Sequence, residues 1–187
     1  MKPVFFAVAA LAIAAPAYAA PAPAWVVDKA ASKIGFSSSM SGDAFSGSFK
    51  KWDSAIRFDP KNLAGSSVTT TIDMTSAVTG DEDRDESLPT AQWFSANTYA
   101  RATYSATKFK ALGGNRYQAD GTLTMRGVSK PVSLPFTLVI TGDTAKMTSS
   151  INLNRLAFGV GSGEWAGTTV VPANVRVDIV LVAKRAK

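Results

Sequence analysis

Residues 116–140 constrain the fold of this chain more than any other stretch. They read R-Y-Q-A-D-G-T-L-T-M-R-G-V-S-K-P-V-S-L-P-F-T-L-V-I, in which apolar or small residues alternate with polar ones before and after a short break. Alternation of this length is typical of strands with one buried face. In the break, Gly127 permits a positive φ, and Pro131 is suited only to a strand start or an edge. The sequence therefore predicts an antiparallel hairpin with its connection at 126–131.

A single hairpin is barely stable in water, so further strands have to cover its apolar face. Alternating or β-branched runs predict strands at 34–40, 45–49, 56–58, 68–73, 102–109, 147–153 and 175–181. Residues 79–88 break this pattern, and the cap residue Asp81 and the terminating Pro89 predict a short helix. The expected fold is all-β, with eight or nine strands in a closed or nearly closed antiparallel barrel and one or two short helices.

The N-terminal residues predict an export signal. Lys2 precedes an apolar run at 4–15, and Ala17-Tyr18-Ala19 fits a cleavage site. The run is shorter than the roughly 20 residues of a membrane span, which disfavours an uncleaved anchor. We expect a signal peptide at 1–20, cleaved after Ala19 or Ala20, and a single barrel domain at 21–187 with a short flexible or extended lead-in.

Composition excludes several kinds of chemistry. The chain contains no Cys and no His, so disulfides, thiolate metal sites, cysteine nucleophiles and Ser-His-Asp triads are absent. The net charge of +6 comes from scattered residues, which indicates solvation and no nucleic-acid partner. No pair of carboxylates falls on inward strand positions. We therefore expect a protein that is not an enzyme and has no cofactor or bound metal.

Several short motifs, in this order and spacing, resemble the YceI-like family of exported bacterial proteins. They are Ile34-Gly35-Phe36, Phe45-x-Gly47-x-Phe49-x-x-Trp52, Ile56-x-Phe58-Asp59-Pro60, Ile72-Asp73, Asp81-x-x-Arg84-Asp85-x-x-Leu88, Trp93-Phe94, Gly121-x-Leu123-Thr124-x-Arg126-Gly127-Val128-x-Lys130-Pro131-Val132 and Asn154-Arg155-x-x-Phe158-Gly159. The resemblance implies a periplasmic lipocalin-like barrel whose elongated apolar interior holds a polyisoprenoid or similar long-chain lipid, including quinone tails. Many relatives have a His where this chain has Ser39, so any role of that imidazole is absent here.

The inward positions of the strands form the candidate lipid site. Its expected residues are Phe36, Phe49, Phe58, Tyr104, Leu123, Met125, Leu134, Phe136, Ile151 and Phe158. The alternative is a filled core, since side chains alone can fill an eight-stranded barrel. Small inward residues favour a tunnel, namely Ser38, Gly47, Ala119, Gly121 and Ser149.

The acidic residues at 81–86 resemble the start of a calcium loop. However, Glu86 stands where such a loop needs Gly, and Gln92 stands where it needs Glu. The better interpretation is a helix N-terminus with a local Asp81–Arg84 pair. We hypothesise that this helix covers one mouth of the barrel.

Three cations in strand connections are candidates to contact a lipid head group: Arg84, Arg126 and Arg155. A guanidinium there can bind a phosphate or a quinone carbonyl, and the glycines and aromatic residue beside Arg155 make it the best candidate. Lys130 lies in a similar connection. The alternative for each is structural pairing or solvation.

Taken together, the residues and the resemblance predict a periplasmic binding or carrier protein for a long-chain isoprenoid-type lipid, a polyprenyl chain or a quinone tail. A membrane or a membrane protein is a possible donor or acceptor of this cargo. One rival is an enzyme that acts on a lipid in the same cavity, and another is a solid-core interaction module. A cavity too small for about ten carbons would favour the solid core.

Overall fold

The computed structural model describes residues 20–187. The predicted signal peptide therefore lies outside the described residues, except for Ala20. Eleven strands, one short helix and four 3₁₀ turns are described. The strands are β1 (Ala24–Val27), β2 (Lys33–Met40), β3 (Asp43–Phe49), β4 (Trp52–Arg57), β5 (Ser67–Asp73), β6 (Ala77–Val78), β7 (Arg101–Gly113), β8 (Arg116–Met125), β9 (Val128–Thr141), β10 (Thr144–Asn154) and β11 (Asn174–Arg185), and the helix is α1 (Glu82–Ser87). The 3₁₀ turns are Leu63–Gly65, Met74–Ser76, Arg155–Phe158 and Gly163–Ala166.

Eight of the strands close into an antiparallel ring in the order β1, β4, β5, β7, β8, β9, β10 and β11, and β11 pairs back to β1. Strands β2, β3 and β6 extend the wall at the other end, because β2 pairs with the first half of β11. Because β11 pairs back to β1, neither terminal strand of the ring is left as an open sheet edge of the kind that promotes aggregation. The predicted all-β barrel is confirmed.

The central hairpin is present, with a tighter turn than predicted. Strands β8 and β9 pair without a break from Arg116 opposite Thr137 to Met125 opposite Val128. The turn is only Arg126-Gly127, with φ of 51° and 73°. Two left-handed residues match the twist of the flanking strands, so residues 128–131 join β9.

Three local features differ from what the sequence predicts. The strand expected at 56–58 begins earlier, because Asp53 and Ser54 pair with Thr71 and Thr70 inside β4 and β5. Strands β1 and β6 were missed, because runs of four and two residues carry too little alternation to detect. The lead-in, which was expected to be flexible or extended, is held to the barrel: Ala22 is 1% exposed, and its N–H donates to the carbonyl of Gly65.

The predicted short helix is confirmed as α1. The Asp81 carboxylate accepts a hydrogen bond from the N–H of Arg84, which satisfies one of the free donors of the first turn. Residues 20–187 contain no helix long and apolar enough to cross a bilayer.

Candidate functional site

A cavity of about 260 Å³ runs along the inside of the barrel. Its lining comes from the inward positions of the strands and from the segments that cover one end. Nine of the ten predicted lipid-site residues line it: Phe36, Phe49, Phe58, Tyr104, Leu123, Met125, Leu134, Phe136 and Ile151. Phe158 does not. It is 3% exposed and packs among Trp93, Phe94 and Val160 as a core residue.

Two wall glycines make room for aromatic rings that lie over them. A Cβ on Gly47 would lie 2.7 Å from the carbonyl oxygen of Val78 and would clash with the Phe36 ring. A Cβ on Gly121 would lie 2.7 Å from the Tyr104 ring. The rings occupy the space above these glycines, so the glycines hold rings at the wall and do not themselves open the tunnel.

Four aromatic rings close one end of the cavity, which we call the aromatic end. The Phe58 ring centroid lies 5.5 Å from Phe109, 5.4 Å from Tyr117 and 5.8 Å from Phe136, each in an edge-on arrangement. The Trp25 indole N–H donates to the Phe58 carbonyl at 2.9 Å, which fixes the segment that follows β4. Edge-on packing is the favoured geometry for such rings, so the aromatic end is held by side-chain packing.

The other end, which we call the lid end, is covered by residues 88–94 and 155–171. Leu88, Trp93 and Phe94 are buried and line the cavity, and Trp93 contacts Trp165 at a centroid distance of 5.4 Å. Helix α1 has no buried residue. The covering segment begins at Leu88, the last residue of the predicted helix, and a covering role of α1 itself stays a hypothesis.

Arg155 holds the lid end together through backbone carbonyls. Its Nε donates to Pro172, one terminal nitrogen donates to Val160 and Gly161, and the other donates to Gly167 and Val171. A guanidinium has five N–H groups, so these bonds use every donor. Burial lowers the pKa of Arg155. Arg155 lines the cavity, but its donors are all used by backbone carbonyls, which gives it a structural role. A head-group contact by Arg155 stays a prediction.

Gly161 is required by this arrangement. Its φ is +77°, and an added Cβ would fall on the Arg155 guanidinium. The glycine-rich composition of 159–167 thus allows the backbone to wrap closely around a buried cation.

The other two candidate cations lie at the lid end. The Arg126 guanidinium donates to the carbonyls of Ala91, Trp93 and Gly159 and ties the β8–β9 turn to the lid. Arg84 pairs with Asp81 at 3.2 Å and lies over the ring of Phe45, a cavity residue. A head-group contact by either stays a prediction. Lys130 is exposed on β9.

Few polar groups reach the cavity. Burial and the nearby Asp120 charge raise the pKa of Tyr104 to about 12, and its hydroxyl lies within hydrogen-bond distance of the carbonyls of Ala119 and Val132. The Ser38 hydroxyl is buried in the lining and, alone among the buried side-chain polar atoms of 20–187, has no partner. No Asp or Glu lines the cavity in the described part of the chain.

The acidic cluster is used for local capping. Asp85 accepts hydrogen bonds from the N–H and hydroxyl of Thr79 and from the N–H of Gly80. Its burial opposes ionisation, but these bonds outweigh burial and lower its pKa. Within 20–187, no three acidic side chains converge as a metal site would require.

Sequence reasoning missed many lining residues that the same alternation contains. Val132, Leu138, Ile140, Met147, Leu153 and Ile179 all line the cavity, and their period of two was visible. Trp25, Met74 and Leu88 also line it, and they lie in short strands, turns or loops without a period. The unpaired state of the Ser38 hydroxyl had no sequence signal.

A closed antiparallel barrel around a carbon-lined cavity defines the structural class. Within this class, the YceI-like domain matches residues 25–183. The chain therefore belongs to the YceI-like family.

Three known proteins illustrate what this chain is similar to. BcnA of Burkholderia cenocepacia is 35% identical, with a TM-score of 0.82 over 84% of this chain and 99% of that chain. A polyisoprenoid binding domain from Saccharophagus degradans, implicated in plant cell wall breakdown, shares the fold at 18% identity, with a TM-score of 0.71 over 88% of this chain and 99% of that chain. Protein YceI of Shigella flexneri is 38% identical over 97 residues, which span 52% of this chain and only half of that protein.

Proposed function

We propose that this protein binds and carries a long-chain isoprenoid-type lipid, a polyprenyl chain or a quinone tail, in the periplasm. The cavity is the observation that carries the proposal: its lining is almost entirely carbon and it runs along the barrel. Because an apolar cavity of ~150 Å³ holds benzene, a cavity of this size accepts about ten carbons. Each buried CH₂ contributes about 0.8 kcal/mol, so a chain of that length binds without polar contacts.

Two further observations support the lipid. The Saccharophagus structural neighbour is a polyisoprenoid binding domain. The cavity volume also meets the ten-carbon criterion that separates a carrier from a solid-core interaction module. The periplasmic location rests on the predicted signal peptide.

Binding is favoured over catalysis in the same cavity. A lipid-modifying enzyme would need an acid, a base or a nucleophile near the chain. Among the described lining residues there is no carboxylate, and the Tyr104 hydroxyl keeps its proton and faces backbone carbonyls.

Native mass spectrometry of the protein purified from cells that export it, followed by organic extraction, tests the proposal. We expect a long apolar adduct. Protein that is repeatedly recovered empty and takes up no prenyl lipid or quinone would contradict the proposed function.

Phe136→Asp tests the site within the barrel. Phe136 lines the cavity, and a buried carboxylate there should abolish uptake of geraniol, a ten-carbon prenyl alcohol. Val139→Asp is the matched control, because Val139 lies on the same strand but is 50% exposed. Unchanged uptake by a folded Phe136→Asp protein would show that this residue does not contact the lipid.

We further propose that Ser38, and not Arg155, meets the polar end of the cargo. A buried hydroxyl without a partner costs about 1–3 kcal/mol, and a neutral hydroxyl or carbonyl of a ligand would supply that partner. Ser38→Ala should weaken binding of geraniol about tenfold, and should leave its hydrocarbon counterpart myrcene unaffected. Thr70→Val is the control, because the Thr70 hydroxyl also lies in the lining but is already bonded to Ser54. Equal losses for both ligands would exclude this contact.

A further inference from the structure

Strands β9 and β10 separate along half of their length. Their pairing runs from Thr141 opposite Thr144 to Thr137 opposite Thr148 and then stops. Beyond that point β9 still pairs with β8, and β10 still pairs with β11. Residues 128–135 of β9, roughly 25 Å of strand, thus face β10 without a ladder.

Two prolines explain where the pairing stops. The Leu138 N–H donates to Asn115 on the β8 side, and the Pro135 carbonyl accepts from the Ser149 hydroxyl on the β10 side. Because backbone groups of successive residues point to opposite edges, the odd-numbered residues of β9 face β10. Pro131 and Pro135 therefore both fall on that edge and remove two of its donors, which prevents the ladder from continuing.

The gap between 128–135 and 149–154, which we call the slit, is bounded at both ends. Ser149 bridges to the Pro135 carbonyl at 2.6 Å at one end. At the other end, Arg126 in the β8–β9 turn donates to the Gly159 carbonyl, just after β10. The slit is thus an interruption of limited length in the β9–β10 ladder, and the strands on both sides of it keep their other partners.

A groove of about 500 Å³ lies beside the Ser149–Pro135 bridge. Its lining includes Tyr117, Pro135 and Ser149, and also Phe136 and Ile179. Phe136 and Ile179 line the interior cavity as well, so the groove and the cavity share a wall of two side chains.

Both ends of the barrel are covered by tightly packed groups. The aromatic end is closed by the rings around Phe58, and the lid end is held by the carbonyl bonds of Arg126 and Arg155. Phe136 belongs to the aromatic end, but moving its ring alone leaves the contacts of Phe58 with Phe109 and Tyr117 in place. Moving this one ring therefore breaks fewer interactions than opening either end.

We propose that the groove is a second binding site for the prenyl or alkyl chain, and that the chain passes from it through the slit into the cavity. Phe136 separates the two spaces and moves aside when the chain passes. This inference rests on the proposed function, since it concerns the route of the same cargo.

A bridge across the slit tests the route. Because the chain has no Cys, Ser133→Cys with Asn152→Cys introduces the only two thiols, both at exposed positions on the two sides of the slit. Joining them with a short bis-maleimide should lower the association and dissociation rates of geraniol at least tenfold, with Kd unchanged within twofold. Stopped-flow quenching of tryptophan fluorescence reports these rates, because Trp25 and Trp93 line the cavity.

The control bridge joins Val139→Cys with Lys146→Cys, which lie opposite each other where β9 and β10 are paired. It should leave the rates unchanged. A second variant, Pro131→Thr with Pro135→Thr, restores the missing donors and should also slow exchange, by at least threefold. Exchange at the wild-type rate in both slit variants would overturn the proposed route through the slit and leave the proposed function standing. Absence of geraniol binding by the wild-type protein would overturn the proposed function and the route with it.

Discussion

The two ends of the cavity are closed by different interactions, ring packing at one end and hydrogen bonds from arginine at the other. At the aromatic end, four rings come from the segment after β4 and from β7, β8 and β9. Phe58 packs edge-on against the other three, and Tyr117 stacks on Phe136. At the lid end, the loops 88–94 and 155–171 are irregular, and two guanidinium groups bind their carbonyls. In regular strands the backbone N–H and C=O groups bond to neighbouring strands, so side-chain packing is enough to close the aromatic end. In irregular loops the carbonyls have no such partners and need donors from side chains. A buried arginine supplies five such donors at one point.

The largest expected effect breaks the lid end. Arg155→Met removes all five bonds and should lower the free energy of unfolding by about 3–4 kcal/mol, because several buried carbonyls each lose a partner worth ~1 kcal/mol. Urea denaturation measures the loss. The control is Arg176→Met, because Arg176 is exposed and pairs only with Asp178, so its removal should leave the urea midpoint almost unchanged. Equal effects would mean that the lid does not depend on Arg155.

A slightly smaller effect is expected at the aromatic end. Phe58→Ala should cost about 3 kcal/mol, at the lower end of the range for a buried Phe because the ring already borders a void. The enlarged cavity should also accept a chain a few carbons longer than the wild-type protein does. Binding of prenyl alcohols of increasing length measures this. Leu112→Ala is the control, since Leu112 is 43% exposed and lies outside the ring cluster.

Gly47→Ala tests whether the stability of the barrel wall between the two ends depends on the position of the Phe36 ring over Gly47. The added methyl would displace the Phe36 ring and approach the Val78 carbonyl, which should cost about 1–3 kcal/mol. Gly167→Ala is the control, because nothing lies within 4 Å of a Cβ there and its φ is −68°. If both variants unfold at the same urea concentration, the glycine does not position the ring.

The smallest effect concerns pH. The chain has no His, so stability and lipid binding should be flat between pH 5 and 8. Burial opposes ionisation of Asp85 in α1, but hydrogen bonds from Thr79 and Gly80 outweigh it and lower the pKa of Asp85 below the ordinary value of 3.8. A lowered pKa adds stability that is complete above 3.8 and is lost as the pH falls through the folded value. Acid should therefore loosen the contact of α1 with residues 79–80 before it affects the aromatic end, and acid unfolding followed by circular dichroism should show a smaller change for Asp85→Asn than for the wild-type protein.

The same contrast explains what could be predicted from the sequence. Alternation along 116–140 predicted the hairpin, and the predicted inward aromatic residues Phe36, Phe49, Phe58, Tyr104 and Phe136 line the cavity. Alternate side chains of a strand lie on the same face however they pack, so this part could be predicted. The lid could not be predicted in this way. Whether Arg155 faces a ligand or five carbonyls depends on the path of the 159–171 loop, which has no period.

The slit was also hidden in the sequence. Pro131 was recognised as an edge residue, but the strand edge it occupies is decided by the two-residue turn at Arg126-Gly127. Only the register shows that both prolines of β9 face the same neighbour.

The ring closes between the first and the last strands, with Trp25 opposite Arg185. Contacts between parts of a chain so far apart in sequence are slow to form, because a long loop must be ordered before they are made. The lipid cavity therefore cannot exist on a growing chain until β11 has been synthesised. Until then the chain has no closed ring, because the partner strand of β1 is missing.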